Sequence, residues 1–461
     1  MVIILKDWLS GLLGRGRELD MALDMAQFTP SPEGGYLVGG ALRDALLGRP
    51  FGDLDWLVPA PERAAREAAE GLGGSAFPLD GARGHWRVVA GDLSRDYTPL
   101  GGALEANLRA RDYTVNAVAA DPEGHLFDPL DGLRDLRGRR LRMVSRKNLR
   151  ADPLRPLRGV RLAAGLGFAL EAETHAAISA EACAQRAGEV ALPAPERVGE
   201  ELNRLLLSER AAYGVRLMER LGLLDVYLPE LALGREVEQR GFHHLNVLAH
   251  NLLALEQLLR HFPDSPLSLR WAALLHDLGK PATQTFDASG RYYHFYGHDK
   301  LGAELASSLL RRLRQPDERI RRVAGLIRYH MLPLPGSDKE ARRFLHRRRA
   351  LLPDLLKLMV ADREAARGPL ASKGGRERYR LALARVLRLM AEAPPAKPLL
   401  DGREVMALLG LAPGPRVGEA VRFVQEAAAV GDVSGRAEAE RALRHYARSR
   451  GWTEAPGGEE G

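Results

Sequence analysis

Cysteine is almost absent from this 461-residue chain, where Cys183 stands alone. One thiol makes no internal disulfide and no cysteine metal cluster, so a reducing cytoplasm is the expected setting. No apolar run approaches the ~18 residues of a membrane span, and there is no internal repeat. A secretory signal is not expected either, because the apolar run Met1 to Leu5 breaks at Lys6-Asp7 with no small-residue cleavage pattern behind it. Lysine is scarce beside arginine, a bias that GC-rich coding alone produces, so it argues for neither RNA binding nor thermostability. What remains is 45% hydrophobic and 28% charged, the composition of a soluble globular protein. The length is enough for about three or four domains. The net charge of +7 favours a polyanionic partner, although charge alone is a weak argument.

The most demanding local chemistry lies between Gly35 and Val58. The stretch Asp53-Leu54-Asp55-Trp56-Leu57-Val58 reads as a strand, and period-two alternation puts Asp53 and Asp55 on one face with Leu54, Trp56 and Val58 packed behind. Two carboxylates in one small volume repel and raise each other's pKa unless a cation lies between them, and hard oxygen ligands suit Mg²⁺. Upstream, Tyr36 to Val38 reads as a strand, Gly39-Gly40 as a turn, and Ala41 to Leu47 as a helix stopped by Gly48. Backbone amides at a glycine turn that opens a helix suit phosphate.

Each half of this pattern is common, but the combination is specific. Gly39-Gly40-Ala41-Leu42-Arg43-Asp44 followed by Asp53-Leu54-Asp55 resembles the signature of class II tRNA nucleotidyltransferases and bacterial poly(A) polymerases. The resemblance implies nucleotidyl transfer at Asp53 and Asp55. Pro61 to Gly71 reads as a helix, His85 to Ala90 and Arg95 to Thr98 as strands, and the strand pattern continues through Tyr113 to Ala120 and His125 to Phe127. Asp96 is the candidate third carboxylate, with a surface role equally open. Ala110-Arg111-Asp112-Tyr113-Thr114-Val115-Asn116-Ala117 resembles the family's second motif with Ala110 in place of its first arginine. Arg111 is then expected on phosphate or ribose, since a guanidinium is a fixed fork of donors, and Asp112 and Asn116 hold either the nucleotide or the local turn.

Asp152 reads as a helix N-cap with Pro153 at the first helical position. Asp152 and Arg155 are then neighbours on one helical face, an acceptor beside a donor fork. In the family such a pair recognises the incoming base, and the resemblance carries that role to Asp152 and Arg155, with Arg158 and Arg161 extending the basic face. The chain is helical from about residue 171, through Glu173 to Arg186, Pro195 to Leu207 and Ala211 to Leu224. Glu196 to Leu202 resembles the family's fifth motif, whose charges are expected to organise helix packing.

A second constellation follows. Leu274-Leu275-His276-Asp277-Leu278-Gly279-Lys280 resembles the HD phosphohydrolase core, whose ligands come from separate helices. His250, His276, Asp277 and Asp362 fit its order. Imidazole mixed with carboxylate suits Ni²⁺, Mn²⁺ or Zn²⁺, and His298 and His330 are candidates for a second metal position.

The expected fold class is α+β, with an amino-terminal nucleotidyltransferase α/β head built on a small mixed sheet and all-helical neck, HD and tail domains after it. The expected boundaries are a helical lead-in at 1–30, the head at 31–150, a base-recognition neck and body at 151–235, the HD domain at 236–370, and a tRNA-binding tail at 371–461. The expected partners are tRNA, CTP and ATP, with no membrane. Poly(A) polymerase is the nearest alternative; as the group is known, those enzymes lack an intact HD core. An HD phosphohydrolase with an RNA-binding amino-terminal module is the alternative of another class. CC addition is favoured over full CCA addition, because Pro99-Leu100-Gly101-Gly102 runs directly into Ala103 where CCA-adding relatives carry a longer loop that works as a lever.

Overall fold

The computed structural model describes residues 23–239, 245–286, 293–366, 373–392 and 399–452. Most of the expected helical lead-in lies outside the described residues, as do parts of the linker at 368–378, the proline-rich 393–395 and the tail 457–461. The chain divides into two compact units: Met1–Ala232 with Arg312–Arg314, and Leu233–Arg311 with Gln315–Gly461.

The first unit is built on a seven-stranded sheet: β1 (Tyr36–Val38), β2 (Leu54–Val58), β3 (Ser75–Asp80), β4 (His85–Ala90), β5 (Leu93–Pro99), β6 (Ala119–Ala120) and β7 (Leu126–Phe127). Its order is β3-β4-β5-β2-β1-β6-β7. β2 and β5 run parallel with Asp55 opposite Asp96, while β1 runs antiparallel to β2. The alternation along β2 is as the sequence predicts. Leu54, Trp56 and Val58 are buried on one side, where Tyr97 is opposite Trp56. Leu57 packs with Val38, Leu108, Ala117 and Ala119 on the other. Helix Pro61–Leu72 begins with proline at its first turn, ends at Gly73 in the left-handed region, and buries Ala65, Ala68 and Ala69.

Five local expectations are corrected. β3 is an additional edge strand containing Pro78; an edge position tolerates a residue that cannot donate to the ladder. Tyr113 to Ala120 is not one strand, for Thr114–Asn116 is a 3₁₀ turn and only Ala119–Ala120 pairs in the sheet. Asp112 Oδ1 accepts from the Tyr113 amide and from Asn116 Nδ2, and Thr114 Oγ1 donates to Asp135, so side chains replace ladder partners. Gly39 is not a separate turn before the helix; with φ +79° it directly opens helix Gly39–Leu46. Asp152 does not N-cap a helix; it is the C-cap of helix Arg146–Ala151. Helix Arg155–Leu166 begins three residues later with Pro156 in its first turn, and Asp152 Oδ1 accepts from the Leu154 amide in the preceding bend. Ala211 to Leu224 is also interrupted, by Gly222 at φ +79° between helices Ala211–Arg220 and Leu223–Tyr227.

Helix Arg155–Leu166 packs on Pro195–Leu207 and on Ala211–Arg220. The Tyr113 hydroxyl donates to the Arg155 carbonyl, and a Cβ on Gly159 would collide with that phenol.

In the second unit, helix Val247–His261 packs on Leu267–Leu275 and Asp354–Ala365, and Leu267–Leu275 packs on Asp317–Tyr329. Trp271 and its neighbours through Leu275 are wholly buried. Helices Gly402–Leu409, Pro415–Val430 and Arg436–Ser449 share a small core of Val405, Leu409, Ala420, Val424 and Leu443. Asp401 and Glu404 form a capping box at its entry. Among the described residues no helix is long and apolar enough to cross a membrane.

Candidate functional site

In the first unit the sheet register brings the carboxylates together. Asp55 and Asp96 are direct neighbours on parallel strands, and Asp53, one residue before β2, is near enough for its charge to act on Asp55. Burial, with the nearby Asp96 and Asp53, raises the Asp55 carboxyl above its ordinary pKa despite the counteracting charge of Arg111. Asp96 is gripped by Arg87, whose Nε and Nη2 donate to its two oxygens at 2.6 and 2.7 Å. Gly39 closes the other side. A Cβ there would come within 2.7 Å of Asp55 Oδ2 and 3.3 Å of Arg111 Nη1, so glycine permits both the φ and the close approach.

Arg111 is half-buried, and desolvation lowers its pKa even with Asp55 beside it. Its Nη1 donates to the Asn116 carbonyl at 3.3 Å, while its buried Nε has no partner in the protein. Arg43 turns inward, its Nε and Nη2 donating to Asp44 at 3.0 and 2.7 Å and its Nη1 donating to Asn116 Oδ1 at 2.7 Å. From Asn116 the bonds continue to Asp112 (3.1 Å), Arg158 (3.2 Å), Glu201 (3.1 Å) and Arg161 (2.5 Å). Burial opposes ionisation of Asp112, but Arg158, Asn116 and the Tyr113 amide outweigh it and hold the carboxyl below its ordinary pKa. Arg43, Asp112, Asn116, Arg158 and Arg161 thus form a brace behind the carboxylates.

The side chains of Asp152 and Arg155 do not bond to each other; the Arg155 amide donates to the Asp152 carbonyl at 2.9 Å. Asp152 Oδ2 accepts from Arg197 at 2.7 Å, and this pairing outweighs burial to lower its pKa. Arg155 Nη1 donates to the carbonyls of Asn148 (2.9 Å) and Ala110 (3.2 Å), with Nε buried and unpartnered.

The second unit gathers the other cluster from five helical segments. His250 lies within helix Val247–His261, His276-Asp277 follow Leu267–Leu275, His298 opens His298–Arg312, His330 follows Asp317–Tyr329, and Asp362 lies in Asp354–Ala365. His250 Nε2 is 2.9 Å from Asp362 Oδ1 and 3.2 Å from His276 Nε2. Two groups have ligand atoms close enough for one ion: His250, His276 and Asp362, and His276, Asp277 and His330. Lys280 Nζ is 2.6 Å from Asp277 Oδ2 and donates to Gln239 Oε1 at 2.6 Å. Burial works against both carboxylates, yet the facing cations and imidazoles hold Asp277 and Asp362 well below the usual range. Asp277, His330 and Asp362 line a cavity of about 1250 Å³.

Over 419 residues the chain is 52% identical to the A-adding tRNA nucleotidyltransferase of Deinococcus radiodurans, covering 91% of this chain and 96% of that protein. The chain belongs to the tRNA nucleotidyltransferases. It is also 50% identical to the CC-adding tRNA nucleotidyltransferase of Thermus thermophilus, covering 90% of this chain and 94% of that one. Residues 167–233 match the family described as a probable RNA and SrmB-binding site of polymerase A, and residues 242–367 match the HD domain. The fold is that of the Bacillus stearothermophilus CCA-adding enzyme, solved with CTP. The TM-score is 0.59 at 24% identity, with 90% of this chain and 94% of that one covered. In this tRNA nucleotidyltransferase, sequence reasoning missed Arg87 and Arg197. Arg87 becomes visible only through hairpin register, and Arg197 only through helix packing across 45 residues of sequence separation. Lys280 belongs to the Leu274 to Lys280 motif, and its contact with Asp277 appears only in the fold.

Proposed function

We propose that the chain adds C residues to the 3′ end of tRNA, forming each phosphodiester bond as the α–β anhydride of CTP breaks and pyrophosphate leaves. The convergence of Asp53, Asp55 and Asp96 beside Gly39 and Arg111 carries the reading of this site as the transfer centre. Three carboxylates in one partly buried place fit a divalent cation such as Mg²⁺. When bound, it would polarise the attacking 3′-hydroxyl and neutralise charge on the leaving phosphates. Asp53 and Asp55 would hold it, with Asp96 positioned by Arg87. The Gly39 and Gly40 amides and the Arg111 fork receive triphosphate oxygens. Asp152 and Arg155 present the acceptor and donor that read the base edge, as the family resemblance implies. Arg43, Asp112, Asn116, Arg158 and Arg161 act by bracing that surface from behind.

Base choice rests on the connection after β5. Strand β5 ends at Pro99 and the next helix starts at Leu104, leaving a connection too short to swing the reading pair from C to A. The rival reading is A addition, favoured by the name of the Deinococcus relative; two names at near-equal identity show that overall similarity does not decide base choice. Purified protein with Mg²⁺, CTP and ATP should extend tRNA lacking CCA to CC and stop. Extension of tRNA ending in CC by one A would overturn CC addition in favour of A or CCA addition.

The HD cluster supports a second activity, metal-dependent phosphoester hydrolysis. The imidazoles of His250 and His276 with the carboxylates of Asp277 and Asp362 fit Ni²⁺, Mn²⁺ or Zn²⁺, and 2′,3′-cyclic nucleotides are the first substrates to test. His276→Ala should abolish hydrolysis and leave nucleotide addition within about twofold. No hydrolysis by the unsubstituted protein with any of these metals would rule it out.

A further inference from the structure

The register of the sheet lines up one row of side chains across four strands. Asp55 on β2 is opposite Asp96 on β5, Asp96 is opposite Arg87 on β4, and Arg87 is opposite Phe77 on β3. Cross-strand partners project to the same side of a sheet, so the four share one face. Helix Pro61–Leu72 packs on the other face of β3, β4 and β5, where Val88 is buried and the Arg66 guanidinium lies 5.2 Å from the centre of the Trp86 ring. Trp86 and Val88 flank Arg87 in its strand, so Arg87 and its row face away from that helix. Exposure rises along the row. Asp55, Asp96 and Arg87 are half-buried, whereas Phe77 is 42% exposed and Val89, on the same face two residues from Arg87, is 39% exposed. An aromatic ring with an aliphatic neighbour thus stands open to solvent at the far end of a row that begins at Asp55.

In-line transfer gives the row a direction, because the attacking and leaving oxygens lie roughly opposite each other across the phosphorus. The groups suited to the triphosphate approach Asp55 from the β1 side, where a Cβ on Gly39 would come within 2.7 Å of Asp55 Oδ2 and 3.3 Å of Arg111 Nη1. With pyrophosphate leaving on that side, the 3′-hydroxyl arrives from the other, over β5 and β4. Neighbouring strands are ~4.8 Å apart, which puts Phe77 about 10 Å from Asp96 across the sheet, within reach of the last few nucleotides of an extended strand. We propose that Phe77, with Val89 beside it, is the stacking platform that seats the unpaired 3′-terminal bases of tRNA while the hydroxyl reaches Asp55; the proposal rests on the reading of Asp55 as part of the transfer centre. Stacking suits this task because every base has a π-face, and the last base of the acceptor end changes with each nucleotide added. Arg87 lies between ring and carboxylates. It bonds Asp96 through Nε and Nη2 and its side chain is 36% exposed, so Nη1 is the donor it offers to a backbone phosphate of the same strand.

The test uses the full-length chain with the tRNA end and nucleotide that the unsubstituted protein joins. Phe77→Leu keeps an apolar side chain on an exposed edge strand and removes the ring. It should raise KM for tRNA ~10-fold or more, with Tm, kcat and KM for the nucleotide within about twofold, the pattern of lost binding that is uniform along the reaction. Phe77→Tyr, which keeps the ring, should behave as the unsubstituted protein. A tRNA carrying 4-thiouridine at its 3′ end should photo-crosslink to the β3–β4 hairpin. An unchanged KM for tRNA in Phe77→Leu, an equal loss in Phe77→Tyr, or a cross-link that maps elsewhere would overturn the proposal. Asp55→Asn separates it from the reading beneath it: a variant that still transfers nucleotides ends both, whereas an inactive Asp55→Asn beside an unimpaired Phe77→Leu ends this proposal alone.

Discussion

At Asp55, stability and chemistry oppose each other. Burial and two neighbouring carboxylates raise its pKa, so in the metal-free protein its ionisation costs folding free energy. The sign follows from linkage. A carboxyl whose folded pKa lies above its unfolded value gives full stability below about pH 4, and this stability is lost as pH rises through the folded pKa. Asp55→Asn should therefore melt higher than the unsubstituted protein at pH 7 in EDTA, with the difference vanishing below about pH 4. The same substitution, like Asp53→Ala, should reduce nucleotide addition by about three orders of magnitude or more, since several kcal/mol of charge stabilisation go with the ligand. Melting curves across pH and single-turnover rates check the two halves separately; an Asp55→Asn protein no more stable at pH 7 would contradict the assignment of strain to this carboxyl.

The segment from Asp152 to Leu166 shows at the scale of an element what sequence conveys. Period-two alternation made the Asp53–Asp55 face legible, because strand direction depends only on neighbours in the chain. Helix onset was not legible, because Pro153 and Pro156 each suit a first turn and only tertiary packing selected Pro156. Asp96 was legible as a candidate third carboxylate, but not its direct pairing with Asp55 over a surface role, because that pairing requires a parallel register across an intervening hairpin. Asp152 bonds Arg197 and Arg155 bonds two carbonyls. Asp152→Ala and Arg155→Ala should thus lose discrimination among CTP, ATP and UTP before they lose all turnover, read as ratios of kcat/KM. Unaltered base choice with only a lower Tm would return both residues to structure. Glu201, which ties Arg158 and Arg161 to the brace, should behave oppositely. Glu201→Ala is expected to cost about 2–4 kcal/mol in denaturant unfolding, less than a fully buried pair because both guanidiniums are partly exposed, with base choice preserved.

Across the whole molecule, two kinds of charge operate. The net +7 acts on a polyanion through water, where counterion release makes affinity fall steeply with salt. The brace behind the carboxylates is different. Asp44, Asp112 and Glu201 balance Arg43, Arg158 and Arg161, so the bonded series is electrically neutral as a block. Its members touch at hydrogen-bond distance, far inside the ~8 Å Debye length of physiological salt. Ionic strength therefore separates the two layers of the protein without a single substitution. Raising KCl from about 50 to about 200 mM should weaken tRNA binding ~10-fold or more, leaving Tm and the single-turnover rate on saturating tRNA nearly flat. A rate that falls in step with affinity would mean that the brace itself is open to solvent ions.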